Sequence, residues 1–171
     1  IGSGNDIEGD TDEFHFLYQK TTGDCTIIAK VVSVQSIEKQ SIAGVMIRDT
    51  TSKDARHASM MVTSGEGIRA KWRSKTHKGT SNVRKLGKAP VWVKVQRVSN
   101  LFTMSYSKDN VNWTVAKTIF IPMTGTAPTG VVDIGLAVCS HKDNKLCTAQ
   151  FQDISRSEEH TSELQSHHDL V

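Results

Sequence analysis

From Asp12 to Asp153 no stretch sustains a 3.6-residue apolar period over ten or more positions, and that constrains the fold more than any motif does. What recurs is a short run rich in Val, Ile, Thr and aromatics, closed by Gly, Asp, Asn or Ser. The runs are "FHFLYQ", "CTIIAKVVSV", "SIAGVMIRD", "HASMMVTS", "GIRAKWRS", "VWVKVQRV", "LFTMSYS", "VNWTVAKTIF", "VVDIGLAVCS" and "LCTAQFQDI". Strands at this spacing predict an all-β fold, a two-sheet antiparallel jelly-roll sandwich. Val91, Val93 and Val95 share one strand face, and Trp92, Lys94 and Gln96 the other. "SNLF" and "SKDNVNW" read as tight turns, the second folding Trp113 behind its own hairpin. The 171 residues suit one domain with a real core. No apolar run approaches the roughly eighteen residues of a spanning helix, so no membrane partner is expected.

The pattern stops at Arg156. "RSEEHTSELQSHHDLV" loses the alternation and crowds in three of the seven histidines. Residues 156–166 resemble a translated sequencing adapter, and Asp169-Leu170-Val171 matches its continuation. Residues 156–171 are therefore expected to be a non-native tail, with residues 1–155 as the module, and Ser157 and His160 are no site candidates. The tail has one basic and four acidic residues, leaving 20 basic against 14 acidic elsewhere, a balance that suits an anionic partner weakly. The chain opens without Met or an apolar leader and is expected to begin inside a longer one. Cys25, Cys139 and Cys147 form no C-x-x-C pair. Cys139 and Cys147 flank one hairpin, as a cross-strand disulfide or as two small core residues.

"DIEGDTDEF" places Glu8, Asp10 and Glu13 at the spacing E-x-D-x-x-E, as in laminarinase-type glycosidases. A retaining enzyme needs two carboxyl groups about 5 Å apart. Glu8 and Asp10 share a strand face, but Glu13 joins them only across a bulge. Asp6, Glu8, Asp10 and Asp12 alternate and are calcium candidates, since Ca²⁺ takes oxygen ligands from flexible loops. The plain alternative is a solvated acidic edge, with Asp12 capping a turn.

"IRAKWRSKTHK" carries the strongest functional signal. On an extended strand Arg69, Lys71, Arg73, Lys75 and His77 face one way, and Ile68, Ala70 and Trp72 the other. Arg84, Lys85 and Lys88 follow. Such a ridge suits carboxylated or sulfated polysaccharide, which Arg grips in a bidentate manner. Nucleic acid is a poorer match, because the one aromatic points away. The alternative is a soluble, charged sheet edge. Arg48, on the face of Gly44 and Met46, and His141, after Cys139, are groove candidates, with a paired structural Arg48 as the alternative. Met60 and Met61 read as core and rim. His15, His57 and His77 show no zinc-ligand spacing.

"GSGNDI-G--DEFHFLYQ", "GDCTIIAKV", "AGVMIRD", "WRS", "VWVKVQRVSNLFTMSYSKDNVNWT" and "IGLAVCSH----CTAQFQDI" together resemble a concanavalin-A-like module appended to secreted, mostly bacterial multidomain proteins. The resemblance spans Gly2 to Ile154. It implies two face-to-face sheets, one concave, and a non-catalytic module for polysaccharide, with neighbouring domains of the same chain as partners. It also implies an extracellular location and an upstream strand beside "FQDI". No cofactor is implied. Glu8 stands where the family usually has Trp, and Asp10 where it has a small residue.

Overall fold

The computed structural model describes residues 1–123 and 130–158, and these hold fifteen strands and no helix. The runs of alternating residues are the strands of two antiparallel sheets. The front sheet has the order β4 (His15–Thr21), β13 (Val132–Cys139), β6 (Ile42–Arg48), β7 (His57–Thr63), β8 (Ile68–Arg73), β9 (Ser81–Lys85). The back sheet has the order β12 (Thr114–Phe120), β11 (Leu101–Ser107), β10 (Val91–Val98), β5 (Cys25–Val34), β15 (Ala149–Glu158). This is the all-β sandwich that the periodicity predicts.

The main core lies between the sheets. Ile27, Ala29, Val31, Val93, Val95, Phe102 and Met104 of the back sheet meet Val45, Ile47, Ala58, Met60, Val62 and Ala70 of the front. Trp92, Lys94 and Gln96 face outward, as expected. Trp72 turns inward with Ile68 and Ala70, and packs against the core. Burial of one face of each sheet drives this arrangement and fixes the registers, because a one-residue slip would turn every core side chain outward.

Five short strands escape the sequence pattern. β1 (Gly2–Gly4) pairs with β14 (Lys142–Cys147), and β2 (Asp6–Glu8) pairs with β3 (Thr11–Glu13) as a separate hairpin. β9 adds a polar edge to the front sheet. Gly9 and Asp10 make the two-residue loop between Glu8 and Thr11, and Gly9 supplies the positive φ of 59° that such a loop requires. β15 is an edge strand and runs through Glu158, three residues beyond the expected boundary of the module. Ladder hydrogen bonds come from the backbone, so the pairing of Arg156 to Glu158 with Ile27 to Cys25 does not depend on their side chains. Residues 159–171, including His160, lie outside the described residues.

Cys25, Cys139 and Cys147 are all free and buried, Cys139 and Cys147 in different apolar clusters. Burial pushes the Cys25 and Cys139 thiols up to about 11, so both are protonated packing groups. Phe102 and Phe120 lie on neighbouring strands but differ in environment, at 0% and 62% exposure. Phe102→Ala will cost about 3–5 kcal/mol in chemical denaturation. Phe120→Ala will stay within about 0.5 kcal/mol.

Candidate functional site

The outward face of the front sheet carries side chains in cross-strand rows. One row runs Lys20, Asp133, Arg48, His57, Arg73. The next runs Tyr18, Gly135, Met46, Ser59, Lys71, Asn82, and a third Phe16, Ala137, Gly44, Met61, Arg69, Arg84. Across the middle of this face lies the β2–β3 hairpin. Ile7, 0% exposed, packs on Ile42, Met46, Met61, Ala137 and Cys139, forming a second apolar cluster with Phe14 and Phe16.

Asp12, directly opposite Ile7 in the hairpin, also points into the sheet. Its Oδ2 accepts from Arg48 Nη1 at 2.6 Å and Arg73 Nη1 at 2.7 Å, and its Oδ1 accepts from Arg73 Nη2 at 2.7 Å. Arg73 donates further to Lys78 O, Ala55 O, Gly9 O and Thr80 Oγ1, and Arg48 to Thr50 O and Ser52 O. Two guanidiniums and one carboxylate, all essentially without solvent contact, thus bind β6, β8, two loops and the hairpin into one body. Asp133, 1% exposed and bonded to Lys20 Nζ at 3.0 Å, supplies a second negative charge beside Arg48. His57 fills the gap between the arginines. Burial first, then Arg48, Arg73 and Lys71, hold its pKa well below 6.5, so it is neutral.

The hairpin divides what remains of the face into two clefts. The first, about 190 Å³, is lined by Asp6, Glu8, Gln40, Arg69, Lys71 and His141 among others. It is internally paired. Lys71 Nζ donates to Ile7 O at 3.0 Å and to Glu8 at 3.2 Å, and lies 3.7 Å from Asp6; His141 Nδ1 is 3.5 Å from Asp6, and Arg69 bridges Glu66 at 2.9 Å. Burial raises the Asp6 pKa; at Glu8 burial also pushes upward, but the Lys71 charge and the hydrogen bonds from Lys71 and Asp6 together outweigh it and lower the pKa. The second cleft, about 420 Å³, runs beside β4 and is lined by Phe14, Phe16, Tyr18, Arg48, Thr51 and Lys53, with Asp12 and Glu13.

Phe14, Phe16 and Tyr18 form a ledge along that second cleft. Their alternation puts them on one face of the edge strand, half-buried, with centroids 5.7 and 5.2 Å apart and the Phe16 and Tyr18 rings nearly parallel at 17°. Arg48 Cζ lies 5.3 Å from the Phe14 centroid and Lys20 Nζ 5.9 Å from that of Tyr18. Small residues seat β4 against β13. A Cβ on Gly135 would run into Leu17 O and the Tyr18 backbone. In the sequence "FHFLYQ" reads only as a strand; the aromatic spacing Phe14-x-Phe16-x-Tyr18 was the signal for the ledge.

The expected cationic ridge is not a ridge. Lys71 and Arg73 are 3% and 0% exposed, because the hairpin covers the face they share. β8 ends at Arg73, so Lys75 is exposed in the following loop and His77 pairs there with Asp54 at 2.5 Å. Arg48 and Arg69 are ion-paired, the former in the way the structural alternative expected. Of the acidic run Glu8, Asp10 and Glu13 are exposed, as the solvated edge expected, but Asp12 does not cap a turn and is instead a buried counter-ion. The calcium candidates Asp6, Glu8, Asp10 and Asp12 diverge to the first cleft, the exposed turn and the arginine pair. Among the described residues no three His, Cys, Asp or Glu side chains group at metal-binding distance. Glu8 and Glu13 border different clefts and Asp10 is exposed at the turn, so the glycosidase trio does not converge. Met61 lies under Ile7 instead of at the rim.

No protein-family model and no curated protein matches the sequence. Solved structures match the fold. A functionally unknown protein from Saccharomyces cerevisiae is 18% identical with a TM-score of 0.68, over 91% of this chain and 84% of that one. A xylan beta-1,4-xylosidase from Bacillus halodurans is 15% identical with a TM-score of 0.66, over 86% of this chain but only 30% of the enzyme. The GH43 protein BlXynB from Bacillus licheniformis is 14% identical with a TM-score of 0.55, over 88% and 31%. The likeness is one of fold.

Asp12→Ala strands two buried guanidiniums and will destabilise the chain by about 3–5 kcal/mol, read by urea denaturation. The exposed Asp10→Ala will change it by no more than about 0.5 kcal/mol. His57 is neutral when folded and takes up a proton below pH 6.5 when unfolded. Stability is therefore complete above that pH and falls below it, by at most about 1.4 kcal/mol per pH unit for this group. Melting curves between about pH 7 and 5.5 will show the fall, and His57→Gln will flatten it.

Proposed function

We propose that this chain is a non-catalytic carbohydrate-binding module of concanavalin-A-like type, belonging to a larger secreted protein, and that it holds polysaccharide on the Phe14–Phe16–Tyr18 ledge. The ledge carries the reading. Three half-exposed rings in a line beside an open cleft offer flat apolar surface to sugar rings, and Arg48, Thr51 and Lys53 offer polar groups to hydroxyls. That mix of aromatic walls with few polar groups is the usual make-up of a small-molecule or glycan site. The xylosidase likeness supports the same reading, because it covers 30% of that enzyme's chain, the size of an appended module. The dispersal of Glu8, Asp10 and Glu13 supports binding without hydrolysis. Such a module acts by raising the local concentration of its neighbouring domains on the polymer.

Xylo-oligosaccharides are the first ligands to titrate, by calorimetry. Tyr18→Ala at the sheet edge will leave the fold intact and weaken binding about tenfold or more, near 1.4 kcal/mol. Equal affinity in wild type and Tyr18→Ala overturns the ledge. Absence of binding to any neutral glycan likewise leaves the ledge without a ligand and overturns this reading of it.

A further inference from the structure

The outward face of the back sheet has its own chemistry. One cross-strand row there runs Gln152, Lys30, Trp92, Ser107, and the next Ser155, Ile28, Lys94, Ser105, Val115. Lys30 Nζ sits 4.5 Å from the Trp92 ring centroid and Lys94 Nζ 4.1 Å from that of Trp113. Two of the three tryptophans therefore carry a lysine on one open sheet face. Ser105 and Ser107, at 2% exposure each, are covered by the larger side chains around them.

In contrast to the front sheet, no ion pair among the described residues neutralises these cations. The ion pairs of the described residues hold Lys71, Arg73, Arg48, Arg69 and Lys20, but neither Lys30 nor Lys94. No carboxylate stands in the two rows. Asp109, in the neighbouring hairpin loop, is turned into that loop by bonds from Ser107, Val111 and Asn112, and Asp153 lies in the bulge of β15 at the far edge. Partial burial lowers the Lys94 pKa, with no carboxylate to oppose it. A poorly hydrated ammonium with its stem fixed on an indole has little entropy left to lose when an anion arrives.

We infer that this face is a second binding surface, one for acidic polysaccharide, with Lys30 and Lys94 meeting carboxylate or sulfate groups while Trp92 and Trp113 hold them in place. It is independent of the ledge, which lies on the opposite sheet. Lysine meets an anion as a point charge, and Lys30 and Lys94 stand diagonally on neighbouring strands, with Cα atoms about 7–8 Å apart. The hydroxyls and amides of Thr26, Gln96 and Gln152 border the face for sugar hydroxyls. Bases of a nucleic acid would need free ring faces to stack on, and here the lysines occupy them.

Alginate oligosaccharide, a polyuronate, is the probe, titrated into the full chain beside xylo-oligosaccharide and a single-stranded oligonucleotide of matched charge. Binding of the uronate will weaken with salt. It will fall about tenfold or more in Lys30→Gln/Lys94→Gln and stay unchanged in Tyr18→Ala. In the wild-type chain the indole N–H resonances of Trp92 and Trp113 will shift on titration while that of Trp72, between the sheets, stays still; this readout decides the matter if the double variant does not fold. Absence of uronate binding, an undiminished affinity in the double variant, a shift confined to Trp72, or equally tight binding of the oligonucleotide would each overturn the surface. Loss of xylo-oligosaccharide binding in Tyr18→Ala tests only the ledge.

Discussion

The outer face of the front sheet depends on one carboxylate. Asp12 is held by two guanidiniums, which also donate to loop carbonyls and, from Arg73, to Thr80. Without Asp12 the row Lys20, Asp133, Arg48, His57, Arg73 would carry excess positive charge in a buried place. With it, and with Asp133, the row is close to neutral, and His57 stays unprotonated to keep it so. Ile7 and Asp12 act together, since the hairpin that buries an apolar side chain on Met46 and Met61 also delivers the counter-ion.

The same arrangement decides where a ligand can sit. The hairpin takes the middle of the face and commits Lys71 and Arg73 to internal pairs. What stays open is the aromatic strip along β4 on one side and the small, paired cleft at Lys71 and His141 on the other. On the back sheet the opposite holds, with lysines resting on indoles and, among the described residues, no carboxylate paired with them. Charge on this protein is open to a partner only where the fold has left it uncompensated.

Much of the sandwich was legible in the sequence because long strands with one buried face repeat every second residue. "CTIIAKVVSV" and "VWVKVQRV" coincide with β5 and β10 from end to end. The hairpin was not legible. Each of its strands has three residues, too few for a period, and Asp12 finds its partners 36 and 61 positions away. Alternation correctly set Arg69, Lys71 and Arg73 on one face, but alternation within a strand cannot tell whether another segment covers that face. β9, with Val83 as its one apolar residue, left no signal above that of a polar loop. The aromatic ledge was present as a spacing in "FHFLYQ" and was hidden by being equally what any strand would show.

The separation of Asp12 from Arg48 and Arg73 also orders events in time. Synthesis releases the hairpin before the strands that seat it exist, and its partners complete the seat only when β8 has emerged and paired. Closing contacts so far apart in the chain is entropically costly until the front sheet is built, so the hairpin docks late. Until then both arginines are hydrated and the apolar socket of Met46 and Met61 lies open. The hairpin is made before its seat and finds its place after it, acting as the latch that closes this sheet.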